Sequence, residues 1–408
     1  MPVPAHEKKR KNIIFVADVS ISDVIGGAER VLYEQATRLA AKGHHVHIIT
    51  RKTSVHQSCR GEIDGVIEWR YEASPARQLQ FIRQTMRGCR RLFEKLHEIY
   101  SFDVINFHQP FSAYAVSRSH ACMPVKKIYT CHSLSFEEFI SRRGTPVGVR
   151  QYLSNWLNVS IRKYIERKAL QISDIVIVLS DYTRRKLIET HSLSPEMIRV
   201  IPGGVDLDKF RPTTDKNADR KCLGLPQDRI LLLTVRNLVP RMGLENLLRA
   251  FKNVRDSEPK TFLVIGGQGP LLGSLQILCQ KLGIEKDVLY AGFVPEAQLP
   301  RYYGASDFFI LPTIELEGFG LITLEALASG IPVLGTPVGG TLEILNRFDS
   351  KYLFRDTSPA AMAELITHYC RLVQEKPEEW KKMSPLCRKF VEDYYSWDVN
   401  IELLEALL

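Results

Sequence analysis

Two successive runs of short apolar segments, alternating with longer amphipathic ones, restrict this chain more than any other feature. In the first run, strand-like Ile13–Ala17, Val46–Thr50, Val104–Phe107, Lys127–Cys131, Ile175–Leu179 and Ile198–Ile201 are interspersed with helical patterns near Ala28–Lys42, Arg77–Tyr100, Asn155–Leu170 and Arg184–His191. The second run has strands Ile230–Val235, Thr261–Ile265, Val288–Ala291, Phe308–Leu311 and Pro332–Gly335, with helices Leu244–Val254, Leu271–Leu282 and Leu321–Ser329 among them. Continuously apolar strands joined by helices predict parallel sheets covered on both faces. Between the runs, Pro202-Gly-Gly-Val-Asp-Leu-Asp-Lys-Phe-Arg-Pro212 concentrates turn formers and prolines and marks a boundary. The expected architecture is α/β, two doubly wound domains over 1–203 and 204–392, with 393–408 packing back on the first. Ligands of such sheets bind at the carboxyl ends of the strands, here in a cleft between the domains.

A length of 408 residues suits two cores, and 45% hydrophobic against 25% charged residues excludes a disordered chain. The eight cysteines are scattered without a CxxC pair, so reduced packing residues and a cytoplasmic setting are expected. The polar, basic start through Asn12 has no signal-peptide core, and no apolar run reaches the roughly 18 residues that span a bilayer. Charge is uneven. Residues 1–200 hold 31 Lys+Arg against 19 Asp+Glu, a balance of +12, while residues 201–408 hold 24 against 27, a balance of −3. A basic first domain is either a solvated surface or a surface for anionic lipid or a phosphate-bearing substrate.

Three glycine or acidic motifs bear on the chemistry. Gly26-Gly27-Ala28-Glu29-Arg30 joins a strand to a helix whose N-terminus could receive a phosphate, although a tight turn needs the same glycines. Gly266-Gly267-Gln268-Gly269-Pro270 lacks the third glycine of a dinucleotide fingerprint, which argues against NAD. Asp206-Leu207-Asp208 lies in the interdomain linker, where aspartates make turns, so no metal is expected.

The stretch from Ile314 to Gly330 says most. Its helix has apolar residues on every face, with Glu325 in its second turn, and a lone buried carboxylate costs several kcal/mol unless it is paired or faces a cleft. A cleft carboxylate can accept from the two hydroxyls of a ribose, and Glu317 could do the same for a sugar. The N–H groups of Gly318, Phe319, Gly320 and Leu321 stand at the positive end of the helix dipole and suit a diphosphate. The bland alternative is a carboxylate stabilising the dipole together with a buried Glu–Arg pair.

Segments over nearly the whole chain resemble the retaining glycosyltransferases of family 4, which have the GT-B architecture of two Rossmann-like domains. They are Gly26-Gly-Ala-Glu-Arg30, Ala40-Ala-Lys-Gly-His44, Asp103-Val-Ile-Asn-Phe-His108, Thr130-Cys-His132, Val200-Ile-Pro-Gly-Gly-Val-Asp206, Gly267-Gln-Gly-Pro270, Gly292-Phe-Val294, and Glu317-Gly-Phe-Gly320 to Glu325 with Ala326-Leu-Ala-Ser-Gly-Ile-Pro-Val333. The resemblance implies that Glu325 holds the nucleotide ribose and Glu317 the hydroxyls of the donor sugar. It implies that Gly318, Phe319 and Gly320 present backbone to sugar and diphosphate, that Gly27 approaches the phosphates, that Val294 lies at the base, and that His132 reaches the donor sugar. His108 is expected to be structural. The family commonly places Arg and Lys on the diphosphate, but here Asn237 and Met242 stand at those positions. With no metal or other cofactor expected, Arg241 is the first candidate for the missing cation and Arg236 the second.

The implied activity is that of a hexosyltransferase moving a sugar from a nucleoside-diphosphate sugar, UDP-linked by preference or else GDP-linked, to a hydroxyl acceptor with retention. Polysaccharide, lipopolysaccharide or glycolipid assembly would use such a step. In such enzymes the first domain meets the acceptor, and its basic balance suggests a lipid-linked or phosphorylated acceptor. Arg77–Tyr100, with Arg83, Arg87, Arg90, Arg91 and Lys95 flanking its apolar positions, is read as an ordinary domain helix or as a rest on an anionic membrane at the inner face. An epimerase or glycosyl phosphorylase of the same architecture remains the alternative. Nucleic acid is not an expected partner, because no aromatic-basic binding module is visible.

Overall fold

The computed structural model describes residues 10–22, 26–53, 56–73, 78–143 and 148–408, without side-chain detail at 78, 79, 142 and 143. Lys8, Lys9, Arg77 and the side chain of Leu79 lie outside the described residues. The chain divides into two units: residues 1–179, 183–201 and 401–408 form the first, and 180–182 with 202–400 the second. The change of unit thus falls two residues before the expected boundary, and the returning segment starts at 401 rather than 393.

The first unit is built on eight strands: β1 (Asn12–Val16), β2 (His45–Arg51), β3 (Arg60–Ile63), β4 (Val66–Tyr71), β5 (Val104–Phe107), β6 (Lys126–Cys131), β7 (Ile175–Val178) and β8 (Ile198–Val200). Their spatial order is β3-β4-β2-β1-β5-β6-β7-β8, and only the β3–β4 pair is antiparallel. That hairpin was not expected from the sequence. It turns on Asp64-Gly65, both with positive φ (48° and 79°), the backbone of a two-residue hairpin loop. Along β1, Ile14 and Val16 join one apolar cluster while Ile13 and Phe15 join another, because successive side chains of a strand point to opposite faces. Ile401 and Leu404 join the second cluster, which accounts for the tail belonging here.

The second unit has β9 (Ile230–Val235), β10 (Thr261–Gly266), β11 (Val288–Gly292), β12 (Phe308–Leu311) and β13 (Val333–Gly335) in the order β11-β10-β9-β12-β13, all parallel. The chain moves outward from β9 to β11 and then resumes on the other side of β9. The order therefore reverses between β9 and β12, and the crevice beyond their carboxyl ends is where a sheet of this kind receives a ligand. The same reversal in the first unit lies between β1 and β5.

Candidate functional site

The residues that follow β9 and β12 meet at the reversal point of the second unit. Arg236, directly after β9, is 8% exposed. Its Nη2 donates to Glu317 Oε2 at 2.5 Å and to Thr313 Oγ1 at 2.8 Å, and Thr313 Oγ1 donates to Glu317 Oε2 at 3.2 Å. The guanidinium also lies 2.8 Å from the sulfur of Met242. A positive charge therefore stands beside the side chain at 242, although residue 242 itself carries none. Asn237, by contrast, is exposed.

Arg241 plays a different structural part. Its Nη1 donates to the carbonyl of Leu316 at 2.8 Å, and Ile314 N–H donates to the Arg241 carbonyl at 2.8 Å. Leu316 has a positive φ of 59°, a conformation that costs a non-glycine residue about 1 kcal/mol and survives only where neighbours impose it. Arg241 thus ties down the loop that delivers Glu317. Of the two candidate arginines, Arg236 donates to Glu317, and Arg241 donates through Nη1 to the Leu316 carbonyl.

After Glu317 the chain turns through Gly318 and Phe319 to Gly320, which has φ 95° and no side-chain cap, and enters helix Leu321–Ala328. A Cβ on Gly320 would lie 3.0 Å from Thr341 Oγ1 and 3.2 Å from Thr323 Oγ1. Both hydroxyls are buried and lack a partner among the described residues. Two unanswered hydroxyls and an uncapped helix start converging on a glycine form a place for an oxyanion. Gly339 and Gly340 are also required by contact, because a Cβ on either would strike the backbone of Glu317 or Phe319.

Glu325 is 1% exposed and accepts from the Tyr303 hydroxyl at 3.0 Å. The buried carboxylate, which the apolar helix requires to be paired or to face a cleft, has a partner in a tyrosine that sequence spacing did not single out. Val294, 7% exposed, packs over Gly266 at the end of β10. The glycines at 267 and 269 have their own reason: a Cβ on them would strike the carbonyls of Arg236 and Leu238, so they seat one strand-end loop on another. Asp206 accepts from the N–H groups of Asp208 and Lys209 at 3.0 Å, a turn role.

In the first unit, His108 follows β5 and His132 follows the neighbouring β6. His132 Nε2 and His108 Nδ1 are 3.0 Å apart. Burial, the larger cause, holds the His108 imidazole well below its usual range, with His132 adding to it; burial brings His132 down to about 4. Both rings are therefore neutral near pH 7, and one shared N–H joins them. His108 Nε2 and His132 Nδ1 remain buried without a partner among the described residues. His108 is thus the hydrogen-bond partner of His132, which agrees with a structural part. Gly27 is exposed at the first position of helix Gly27–Ala41, whose N-cap Gly26 lies close to the Glu29 carboxylate. A phosphate approaching Gly27 would meet that negative charge.

Comparison with known proteins agrees with this architecture. A family model described as glycosyl transferases group 1 matches residues 215–385, and one described as glycosyltransferase family 4 matches residues 25–209. The GDP-mannose-dependent alpha-(1-6)-phosphatidylinositol monomannoside mannosyltransferase of Mycolicibacterium smegmatis is 33% identical over 195 residues, covering 46% of this chain and 50% of that protein. The D-inositol 3-phosphate glycosyltransferase of Thermomonospora curvata is 26% identical over 401 residues, covering 93% of this chain and 89% of that protein. The sucrose-phosphate synthase from Thermosynechococcus elongatus superposes with a TM-score of 0.81 at 22% identity over 98% of both chains, a likeness of fold.

Proposed function

The chain is a GT-B glycosyltransferase of family 4, and from that premise we propose that it moves a glycosyl group from a nucleoside-diphosphate sugar to a hydroxyl acceptor with retention at the anomeric carbon. The observation that carries this reading is the convergence of Arg236, Thr313 and Glu317 with the uncapped helix start at Gly320, at the reversal point of the second sheet.

In this reading Glu317 accepts hydrogen bonds from the donor sugar hydroxyls. Gly318, Phe319, Gly320 and Leu321 offer backbone N–H groups to the diphosphate, with the Thr323 and Thr341 hydroxyls behind them. Arg236 supplies the positive charge, Arg241 holds the loop, Glu325 with Tyr303 serves the ribose, and Val294 serves the base. His132, oriented by His108, meets the donor sugar, and Gly27 would approach the phosphates only once the Glu29 carboxylate beside Gly26 has turned away. The bond from the anomeric carbon to the diphosphate breaks and its electron pair leaves with the phosphate. The acceptor oxygen bonds to the same face and its proton passes to the leaving phosphate. Because the developing charge is on the phosphate, preorganised donors there lower the barrier most.

The acceptor we propose is a phosphorylated or lipid-linked polyol met at an anionic membrane surface. The names of the two relatives support it, since one acts on a phosphatidylinositol mannoside and the other on an inositol phosphate. One relative is named as GDP-mannose-dependent, so a GDP-sugar stands beside a UDP-sugar as donor. The test is slow hydrolysis of a panel of UDP- and GDP-sugars by the wild-type chain and by Glu317→Ala. Hydrolysis of one donor, lost in the variant, is the expected result. Conversion of the sugar to an isomer, or release that depends on added phosphate, would instead favour the epimerase or phosphorylase.

A further inference from the structure

Helix Val149–Gln171 carries an apolar stripe on its outward side. Tyr152, Leu153, Trp156, Leu157, Ile161 and Tyr164 recur at spacings of three and four and are between 43% and 60% exposed. Together with Val149 they make seven of the seventeen large hydrophobic residues exposed among the described residues, all within sixteen positions of one helix. Such concentration separates this face from the scattered apolar residues normal on any surface.

The other side of the helix is fixed in the first unit. Ile165, Ala169 and Leu170 are buried, and the buried Glu166 accepts from Ser135 N–H at 2.7 Å and pairs with His191 Nε2 at 2.9 Å. The C-terminal turns are therefore bolted down while the preceding four turns, about 24 Å at 1.5 Å per residue, face outward. Helix Gln78–Tyr100, for which an ordinary domain helix and a membrane rest were both open, packs its Cys89, Phe93 and Leu96 into the core and exposes Arg83, Arg87, Arg90, Arg91 and Lys95 with Glu98 and a single large apolar residue, Ile99.

We propose that the outward face of Val149–Gln171 lies in the interfacial layer of an anionic lipid bilayer. Tyr and Trp, which have an apolar ring and a polar tip, favour that layer, and Leu and Ile fill the space between them. Arg150, Lys163, Arg167 and Lys168 are exposed on the same helix, and its one acid, Glu166, is buried. This helix offers cations outward and no anion, so a second copy of the same face would bring like charges together, whereas acidic head groups complement it. No helix among the described residues is long and apolar enough to cross a membrane, and a surface-lying role needs none. The proposal rests on the membrane-side acceptor reading above for its functional sense, but its test does not use the reaction.

The full chain would be floated with phosphatidylcholine vesicles and with vesicles containing about 30% phosphatidylglycerol, at low and high salt. Binding is expected to the anionic vesicles only, to weaken at high salt, and to fall about tenfold or more in Trp156→Ser/Leu157→Ser and in Lys163→Glu/Arg167→Glu. Trp156 is the one exposed tryptophan of the four, so brominated lipid should quench wild-type emission and quench Trp156→Phe much less. Absent flotation, unquenched Trp156 in bound protein, or a concentration-dependent dimer abolished by the serine variant would each overturn the proposal. Donor hydrolysis in free solution by the same variants should equal wild type, because none of these residues is at the donor site. A chain that floats but hydrolyses no donor would sink the reaction reading alone, and a chain that hydrolyses a donor but does not float would sink only this one.

Discussion

At the scale of single residues, Arg236 reaches the Met242 sulfur and Glu317 together, and in the proposed reaction it supplies the charge that Asn237 and Met242 do not carry. Arg236→Ala should lower kcat by about 10²-fold to 10³-fold, as loss of one preorganised donor does. It should also destabilise the chain by about 3–5 kcal/mol, because Glu317 would remain largely buried without its partner. Arg241→Ala, which loses a backbone tie, should cost less than about tenfold in kcat. Steady-state kinetics and urea unfolding on the two variants decide the ranking. Arg236 could be noticed in the sequence only as a neighbour of the expected position, since the direction of a side chain after β9 is set by the loop after β12. Thr313, Thr323, Thr341 and Tyr303 could not be picked out at all, because isolated hydroxyls in apolar stretches have no spacing that separates a site from a satisfied core. The histidines make a pH prediction. Burial is the main cause that holds His132 and His47 at about 4 and His108 well below its usual range, so folding keeps all three neutral while the unfolded chain protonates them below about 6.5. The unfolded state then binds more protons, and stability present above that pH is lost as the pH falls from about 6.5 toward 4. Thermal melts at pH 7.5 and pH 5 should show the drop, and His108→Gln should flatten it.

At the scale of elements, helix Leu321–Ala328 was legible because every position but Thr323 and Glu325 is apolar, which leaves no solvent side. Its entry is more demanding than its interior. Gly320→Ala should cost about 1–2 kcal/mol from the left-handed backbone and weaken nucleoside-diphosphate binding about tenfold, as the new methyl meets Thr341 and Thr323. Urea unfolding and calorimetry read the two effects separately. The β3–β4 hairpin was available from Asp64-Gly65 between alternating apolar residues, but its polar strand Arg60–Ile63 has no apolar run to attract attention. Helix Val149–Gln171 stands in the sequence only as a helical pattern near Asn155–Leu170. An apolar stripe at helical spacing has the same pattern whether it faces a core or the outside, and only the packing of its opposite side on Ile165 and Leu170 tells them apart.

At the scale of the whole molecule, two parallel sheets reverse their strand order once each, and in each unit residues proposed to act on the donor follow strands at or beside that reversal. This much followed from the restart of the strand-helix pattern after Pro212, because strand order and ligand position are linked by chain topology rather than by particular side chains. What topology alone does not choose is which donor fits. The most direct measurement is calorimetric titration of the wild-type chain, Gly320→Val and Glu317→Ala with UDP and GDP, followed by hydrolysis of the matching sugar donor. One nucleotide should bind the wild type at one site per chain, Gly320→Val should lose that binding, and Glu317→Ala should keep it while losing hydrolysis. Binding of neither nucleotide, or equal binding by wild type and Gly320→Val, would contradict a donor site at the Thr313–Gly320 turn.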